Sequence, residues 1–454
     1  MSTLDAFIHD FKTSISKKDS KLLKSLITIN PGQIAQVRKN FNVPTVYQMY
    51  SIPDKFRLVL TTYLKILKSI YIQQSLNSSF DNFNEMCNYL LKASESCDNW
   101  IMPVIISSFE ELILLYKVKQ SKEPEDLDSI LDDTIDDNNN LIFNNEKSKK
   151  SSLEELISTL RKGFILTFND KNPDLKQSKK NDVYFFLSNF VKYCFKMNKL
   201  VIAKSMMEVV KNSTQKLPSM NQSISTRKHG ITYLYFQSLI ALDDGDYLLS
   251  EKLLDDALKL LSYYKIKDSK QLQQILIILI PLKLYNKGKL PNNSIWIKFK
   301  PLKILYKDNF LKAIQEGNLK KYDECLKKFE ILLLKKHLYI LMLLLRQFVQ
   351  LKLIKKITNI IKDNNSNDSM IQLNAFKIGF EISSNYNELT NTINEPINKI
   401  NILEIENIIA NLISIGLIRG QLSNNSNVII LSKSKPFPKI FDVKVDKLDA
   451  KLDK

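Results

Sequence analysis

Ten cationic side chains cluster between residues 320 and 356: Lys320, Lys321, Lys327, Lys328, Lys335, Lys336, Arg346, Lys352, Lys355 and Lys356. Residues 301–360 hold thirteen basic and five acidic residues, a local excess of eight. Cations grouped this way can neutralise successive phosphates without reading bases, in a salt-sensitive manner. Arg419, Lys433 and Lys435 add a second basic point further along the chain. The same lysines also suit plainer roles, a solvated helix face or a docking face for an acidic protein. Tyr322, Phe329 and Tyr339 lie among them at helical-core spacing, so base stacking is the weaker reading.

Catalytic chemistry finds no foothold of this kind. The histidines, His9, His229 and His337, stand apart from one another and from the four cysteines, Cys87, Cys97, Cys194 and Cys325. Neither a zinc site nor a Cys/His dyad has support in that spacing, and no CxxC pair occurs. GxGxxG, GxxxxGK[ST], GxSxG and HExxH are all missing. The pairs Glu110/Glu111 and Glu154/Glu155 occupy adjacent helical positions, which face different ways and cannot share acid–base work. Eight carboxylates between Glu123 and Asp137 lack the Asp-x-Asp-x-Asp-Gly spacing of a calcium loop. The expectation is a protein with no catalytic residue, metal, cofactor or small-molecule substrate.

The elements that would position the cations are helices. The chain has 454 residues, 44% of them apolar, with only 9 Gly and 13 Pro, too few for the turns of a Rossmann fold or a sandwich. Scattered cysteines indicate a reducing compartment. The N-terminal residues lack a signal-peptide apolar core, and the longest apolar runs, Leu338–Leu345 and Ile275–Leu282, fall short of the roughly 18 residues of a membrane span. A soluble, intracellular protein with no membrane partner is expected. The net charge of +18 favours an acidic partner, although scattered lysine can simply solvate a surface.

Helical spacing divides the chain into N-terminal repeats at 1–118, a disordered acidic insert at 119–150, further repeats at 151–336, a different module at 337–438 and a tail at 439–454. In the second set, pairs of apolar-striped segments recur about every 30–40 residues, as in tetratricopeptide-like hairpins. The clearest joins Tyr233–Leu239 to Leu254–Leu261 through Asp243-Asp-Gly-Asp246, with Ala257 small enough for close helix approach. Each such hairpin buries its apolar face by stacking on a neighbour, giving an all-α solenoid.

The module at 337–438 changes character. Long helical stretches follow Leu338 and Met370. Asn401 can then cap a helix with Glu404 at the third position, and Ile405, Ile408, Ile409 and Leu412 form its buried stripe. Gly416 stops that helix, Leu417–Leu422 reads as a strand, Ser423–Asn427 as a turn and Val428–Leu431 as a returning strand. Helix, glycine stop and hairpin make a C-terminal winged helix.

The run Glu404, Glu406, Leu412, Ile413, Gly416, Leu417, Ile418 and Gly420 resembles the end of a PCI domain, the module of proteasome-lid and signalosome subunits. Segments 278–284, 308–319 and 335–345 are similar to the branch containing the messenger-export PCI subunit. Asn99-Trp100-Ile101, the run from Leu166 to Pro173 and the run from Ile429 to Pro438 resemble the yeast COP signalosome subunit 12 family. The resemblance implies a non-catalytic scaffold that pairs through its winged helix with another PCI subunit and binds a small acidic protein of the proteasome-lid type. It also implies work in the nucleus and cytoplasm, in signalosome-associated or messenger splicing and export complexes; the basic face read from the lysines adds RNA or DNA as a candidate ligand. Glu404, Leu417, Ile418, Arg419, Gln421, Val428 and Ile430 are the expected partner interface. The alternative is a winged-helix module that binds nucleic acid as a monomer.

Overall fold

A computed structural model describes residues 4–30, 38–122, 151–175, 177–213, 217–264, 270–364, 370–387, 392–393, 400–423, 426–440 and 442–443. The acidic insert beyond Lys122, the Asn-rich stretch 365–369 and the tail beyond Val443 lie outside them. The described residues are almost entirely helical, and the chain divides into two compact units, residues 1–236 and 237–454. The division falls within the helix Ile224–Asp243, where composition shows no break.

In the first unit, Pro53 precedes the helix Asp54–Tyr71 and fixes the chain's entry into it. That helix packs along Leu76–Ser94, whose helical signal is weak because its stripe of Phe80, Phe83, Met86, Cys87 and Leu90 is interrupted by Asn and Ser. Ser75 accepts a hydrogen bond from the Ser78 amide and caps it. Aromatic rings fill the spaces between successive helices: Phe109 meets Phe186 edge-on at 5.1 Å, and Tyr116 meets Tyr193 at 5.8 Å. The helix Met102–Lys122 continues four residues past the expected break at 119. Its Lys119 is buried, with its ammonium on the Ser152 hydroxyl.

In the second unit, Gly245 adopts a φ of 78° in the expected Asp-rich turn, and Asp246 caps the helix Tyr247–Ser262 by accepting from the Leu249 amide. That helix packs on Lys270–Lys287 with Leu254 and Ala257 fully buried. Residues 301–316 depart from a regular helix: Lys303–Leu311 is a π-helix between short α-helical pieces. The helical stretch expected after Leu338 is one continuous helix, Tyr339–Asn364.

The strands are short. Met370–Gln372 (β1), Tyr386–Asn387 (β2), Thr392–Ile393 (β3), Gly420–Ser423 (β4) and Val428–Leu431 (β5) form a three-stranded sheet in the order β1-β5-β4 and a separate β2-β3 pair. All neighbours are antiparallel. The sheet and the helices Leu373–Asn385 and Ile402–Ile415 enclose a core of Ile371, Phe376, Phe380, Ile405, Ile409, Leu412 and Ile429.

Candidate functional site: a winged helix and a basic helical face

Local chemistry builds the winged helix in the order the sequence predicts. Asn401 accepts from the Leu403 amide and starts the helix Ile402–Ile415. Glu404 lies at the third position, but Asn401 bonds the second amide, so the expected reciprocal capping box gives way to a one-sided cap. Gly416 closes the helix with a φ of 89°, a region L side chains avoid. The Leu417 amide then reaches back to the Leu412 carbonyl at 2.9 Å, the long bond of a Schellman turn.

That turn corrects two expectations. Leu417 and Ile418 are 2% and 1% exposed, folded under the helix they follow, and the first strand begins only at Gly420. They hold the subdomain together and offer no surface to a partner. Gly420 is required for another reason: a Cβ there would stand 2.6 Å from the Ile430 carbonyl oxygen. The third strand, β1, stands where the sequence predicts the start of a helix. Its exposed–buried–exposed pattern was the available signal, but three residues are too few for period two to outweigh the helical run behind them.

The strand order decides what the sheet can present. β5 is central, bonded on both sides, so Val428 and Ile430 contribute no free backbone edge, although the Ile430 side chain is 36% exposed on the sheet face. The outer edges belong to β1 and β4. Ser432 donates to the Arg419 carbonyl at 2.9 Å, and ladder alternation then directs the Gly420 and Leu422 amides away from β5. Glu404, Arg419 and Gln421 are exposed. The Arg419 amide also donates to the Pro436 carbonyl, which clasps the loop carrying exposed Lys433 and Lys435 against the start of β4. Those three cations therefore belong to one end of the sheet.

The cluster at 320–356 is less uniform than its composition. Arg346 makes a two-pronged pair with Asp323 at 2.8 and 2.9 Å, and that bond raises the guanidinium's affinity for its proton. Lys321 faces Glu316 at 3.4 Å, and Lys356 donates to the Glu316 carbonyl at 2.7 Å. Lys320 and Lys336 are half-buried. Lys327, Lys328 and Lys335 on the helix Leu319–Lys335, with Lys352 and Lys355 on the next, are exposed. These five, with exposed Lys356 held on the Glu316 carbonyl, make up the basic face that solvent can reach.

One pairing missed in the sequence joins Ser188 Oγ to His229 Nδ1 at 3.3 Å. The hydroxyl is 1% exposed, and His229 lies edge-on to Phe185 at 5.0 Å, so no substrate carbonyl reaches it. Burial pulls the imidazole pKa down to about 4, leaving it neutral. Glu110 and Glu111 diverge as expected, Glu111 accepting from the Thr28 hydroxyl and the Ile29 amide.

No family model matches the chain. Individual proteins do. A "Protein CSN12 homolog" from Debaryomyces hansenii is 42% identical over 446 residues, covering 96% of this chain and 98% of the relative. The "PCI domain-containing protein 2" of Xenopus laevis is 22% identical over 97% of this chain and 99% of its own length. The "Cop9 signalosome complex subunit 12" of Saccharomyces cerevisiae is 25% identical over 65% of this chain and 71% of its own. With a helical-repeat array, a C-terminal winged helix and near end-to-end identity at that level, the chain belongs to the CSN12 family of PCI-domain proteins.

Proposed function

We propose that this protein is a non-catalytic scaffold subunit of a PCI-containing complex. It pairs with a second PCI subunit through the outer edge of β4 and holds a small acidic protein through its helices. The observation carrying this reading is the short open edge of the winged-helix sheet, with the Gly420 and Leu422 amides directed outward. A strand added there would satisfy those groups, and the flanking Gln421 and Arg419 would select its register. The relative named as a signalosome subunit supports work in a signalosome-like assembly, and the shared architecture extends the reading to nuclear complexes of messenger processing and export.

The exposed lysines at 327, 328, 335, 352 and 355 add RNA or DNA binding, contacting backbone phosphates in a salt-dependent way.

Tagged chain, recovered from its own cells and analysed by mass spectrometry, tests the pairing. Leu422→Pro removes an outward amide and no ladder bond, so the subdomain keeps its sheet while the edge is blocked. The expected result is loss of the co-purifying PCI subunit with unchanged circular dichroism. Equal recovery with the variant sinks edge pairing, and RNA binding by the isolated chain with a steep salt slope shifts the reading to the monomeric nucleic-acid module.

A further inference from the structure

The geometry points to a nucleotide-binding cavity beside the π-helix, able to seat one base of a single-stranded nucleic acid. This site is separate from the winged-helix edge and from the exposed lysines at 327–355. The cavity measures about 540 Å³, within the usual range of small-ligand sites. Its apolar wall includes Trp296 and Leu311, 4% and 5% exposed, and its rim carries Asn293, Lys307, Asp308 and Lys312.

The π-helix is what gathers that rim. On an α-helix, residues five apart lie about 140° from one another, so Lys307 and Lys312 would face different directions. The i→i+5 bonding of a π-helix widens each turn to roughly four and a half residues and brings positions five apart to within about 50°. Lys303–Leu311 is π-helical, and both lysines line the cavity. Lys307 Nζ reaches to 3.5 Å from Asn293 Oδ1, which ties the π-helix to the segment bearing Trp296. From residue 298 to 316 there are five lysines and two carboxylates, Asp308 and Glu316, the latter 3.8 Å from Lys312.

Charge and hydrogen-bonding capacity together select the ligand. The five lysines outnumber the two carboxylates, and the exposed pair of Lys312 with Glu316 is weak, so a strand of nucleic acid can bring its phosphate there. Asp308 can accept from the amino group of a base, which an acidic side chain cannot offer, and Asn293 can both donate and accept at a base edge. Trp296 and Leu311 supply apolar contact for the ring.

Trp296 reports on the site directly, because Trp100 is the chain's other tryptophan. In full-length protein carrying Trp100→Phe, a ten-nucleotide cytidine oligomer should quench Trp296 fluorescence saturably, and an abasic oligomer of equal phosphate count should not. Lys307→Gln with Lys312→Gln, both at exposed positions, should weaken that quenching about tenfold through loss of two charge-assisted contacts. The inference is overturned by equal quenching with the abasic oligomer, by an unchanged titration in the double variant, or by quenching with an acidic peptide alone. The Lys327, Lys328, Lys352 and Lys355 positions stay wild-type throughout, so the basic face and this cavity fail or succeed separately.

Discussion

Asp182 and His229, both in the first unit, should tilt its stability in opposite directions across the same pH interval. Burial raises the Asp182 carboxyl from 3.8 to about 6 and lowers the His229 imidazole from 6.5 to about 4, with the Lys228 charge a smaller contribution to the latter. For His229 the unfolded chain takes up its proton first as pH falls. The stability associated with a neutral imidazole is therefore present above pH 6.5 and lost on the way down to about 4. For Asp182 the folded chain takes up its proton first. The penalty of a buried carboxylate is present above pH 6 and relieved as pH falls towards 3.8. Each displacement exceeds two pH units, on the order of 3 kcal/mol at full effect.

The two slopes cancel in the wild-type protein, so neither shows until one group is removed. Asp182→Asn should stabilise the first unit at pH 7 by up to ~3 kcal/mol, which is several degrees in Tm for a unit of this size. That advantage should shrink to nothing by pH 4. His229→Gln should do the reverse in slope, gaining stability relative to wild type on acidification. Calorimetric melts of the full-length chain at pH 7, 5.5 and 4 read both effects. A lower Tm for Asp182→Asn at pH 7 would refute the reasoning, since it would mean that the carboxylate accepts hydrogen bonds worth more than its desolvation.

The winged helix and basic face give three further expectations. Leu412→Asp places a charge at a fully buried position and should cost on the order of 4 kcal/mol or more, unfolding that subdomain and abolishing co-purification of a PCI partner; an unchanged melt and unchanged recovery would remove the architecture from the explanation. Gly420→Val should push β4 from β5 at the Ile430 carbonyl and accelerate amide exchange at Val428–Leu431, whereas unaltered protection would show that the strands tolerate a side chain there. Reversing charge at Lys327, Lys328, Lys352 and Lys355 should lower RNA affinity and flatten its salt dependence by ~0.7 per lost phosphate contact, with circular dichroism intact; an unchanged titration would eliminate the basic face.

What was legible in the sequence was whatever depends on neighbours along the chain. The helix Ile402–Ile415, its Asn401 cap and its Gly416 stop all follow from residues within one or two turns of each other. β5 was found to the residue because Val428–Leu431 is a compact β-branched and aliphatic run after a polar turn. What escaped depends on distant contacts. β1 is a strand because Met370–Gln372 lies alongside Val428–Ile430, almost sixty residues later in the chain. Leu417 and Ile418 look like strand residues in isolation, yet the Schellman turn folds them inward before the ladder starts. The π-helix has no signature in apolar spacing at all, since Leu305, Tyr306, Phe310 and Leu311 fit an α-helical stripe nearly as well.

The candidate site shows the same limit in electrostatic form. Composition counts thirteen cations against five anions in residues 301–360, and the count treats every lysine as available. Folding sorts them. Asp323 takes Arg346, and Glu316 takes Lys312 and Lys321 through its carboxylate and Lys356 through its carbonyl. Two of the five carboxylates are thus committed to basic partners, while Glu324 and Glu330 stay exposed on the same helix as Lys327, Lys328 and Lys335 and dilute its charge. A local excess of eight is therefore a poor guide to affinity in either direction. The better guide is which ammonium groups stay in solvent and whether they share a helix face. Lys328 and Lys335, seven residues apart, meet both conditions on one helix, and Lys352 and Lys355 on the next. Lys307 and Lys312 meet the second only because a wider helical turn brings them there.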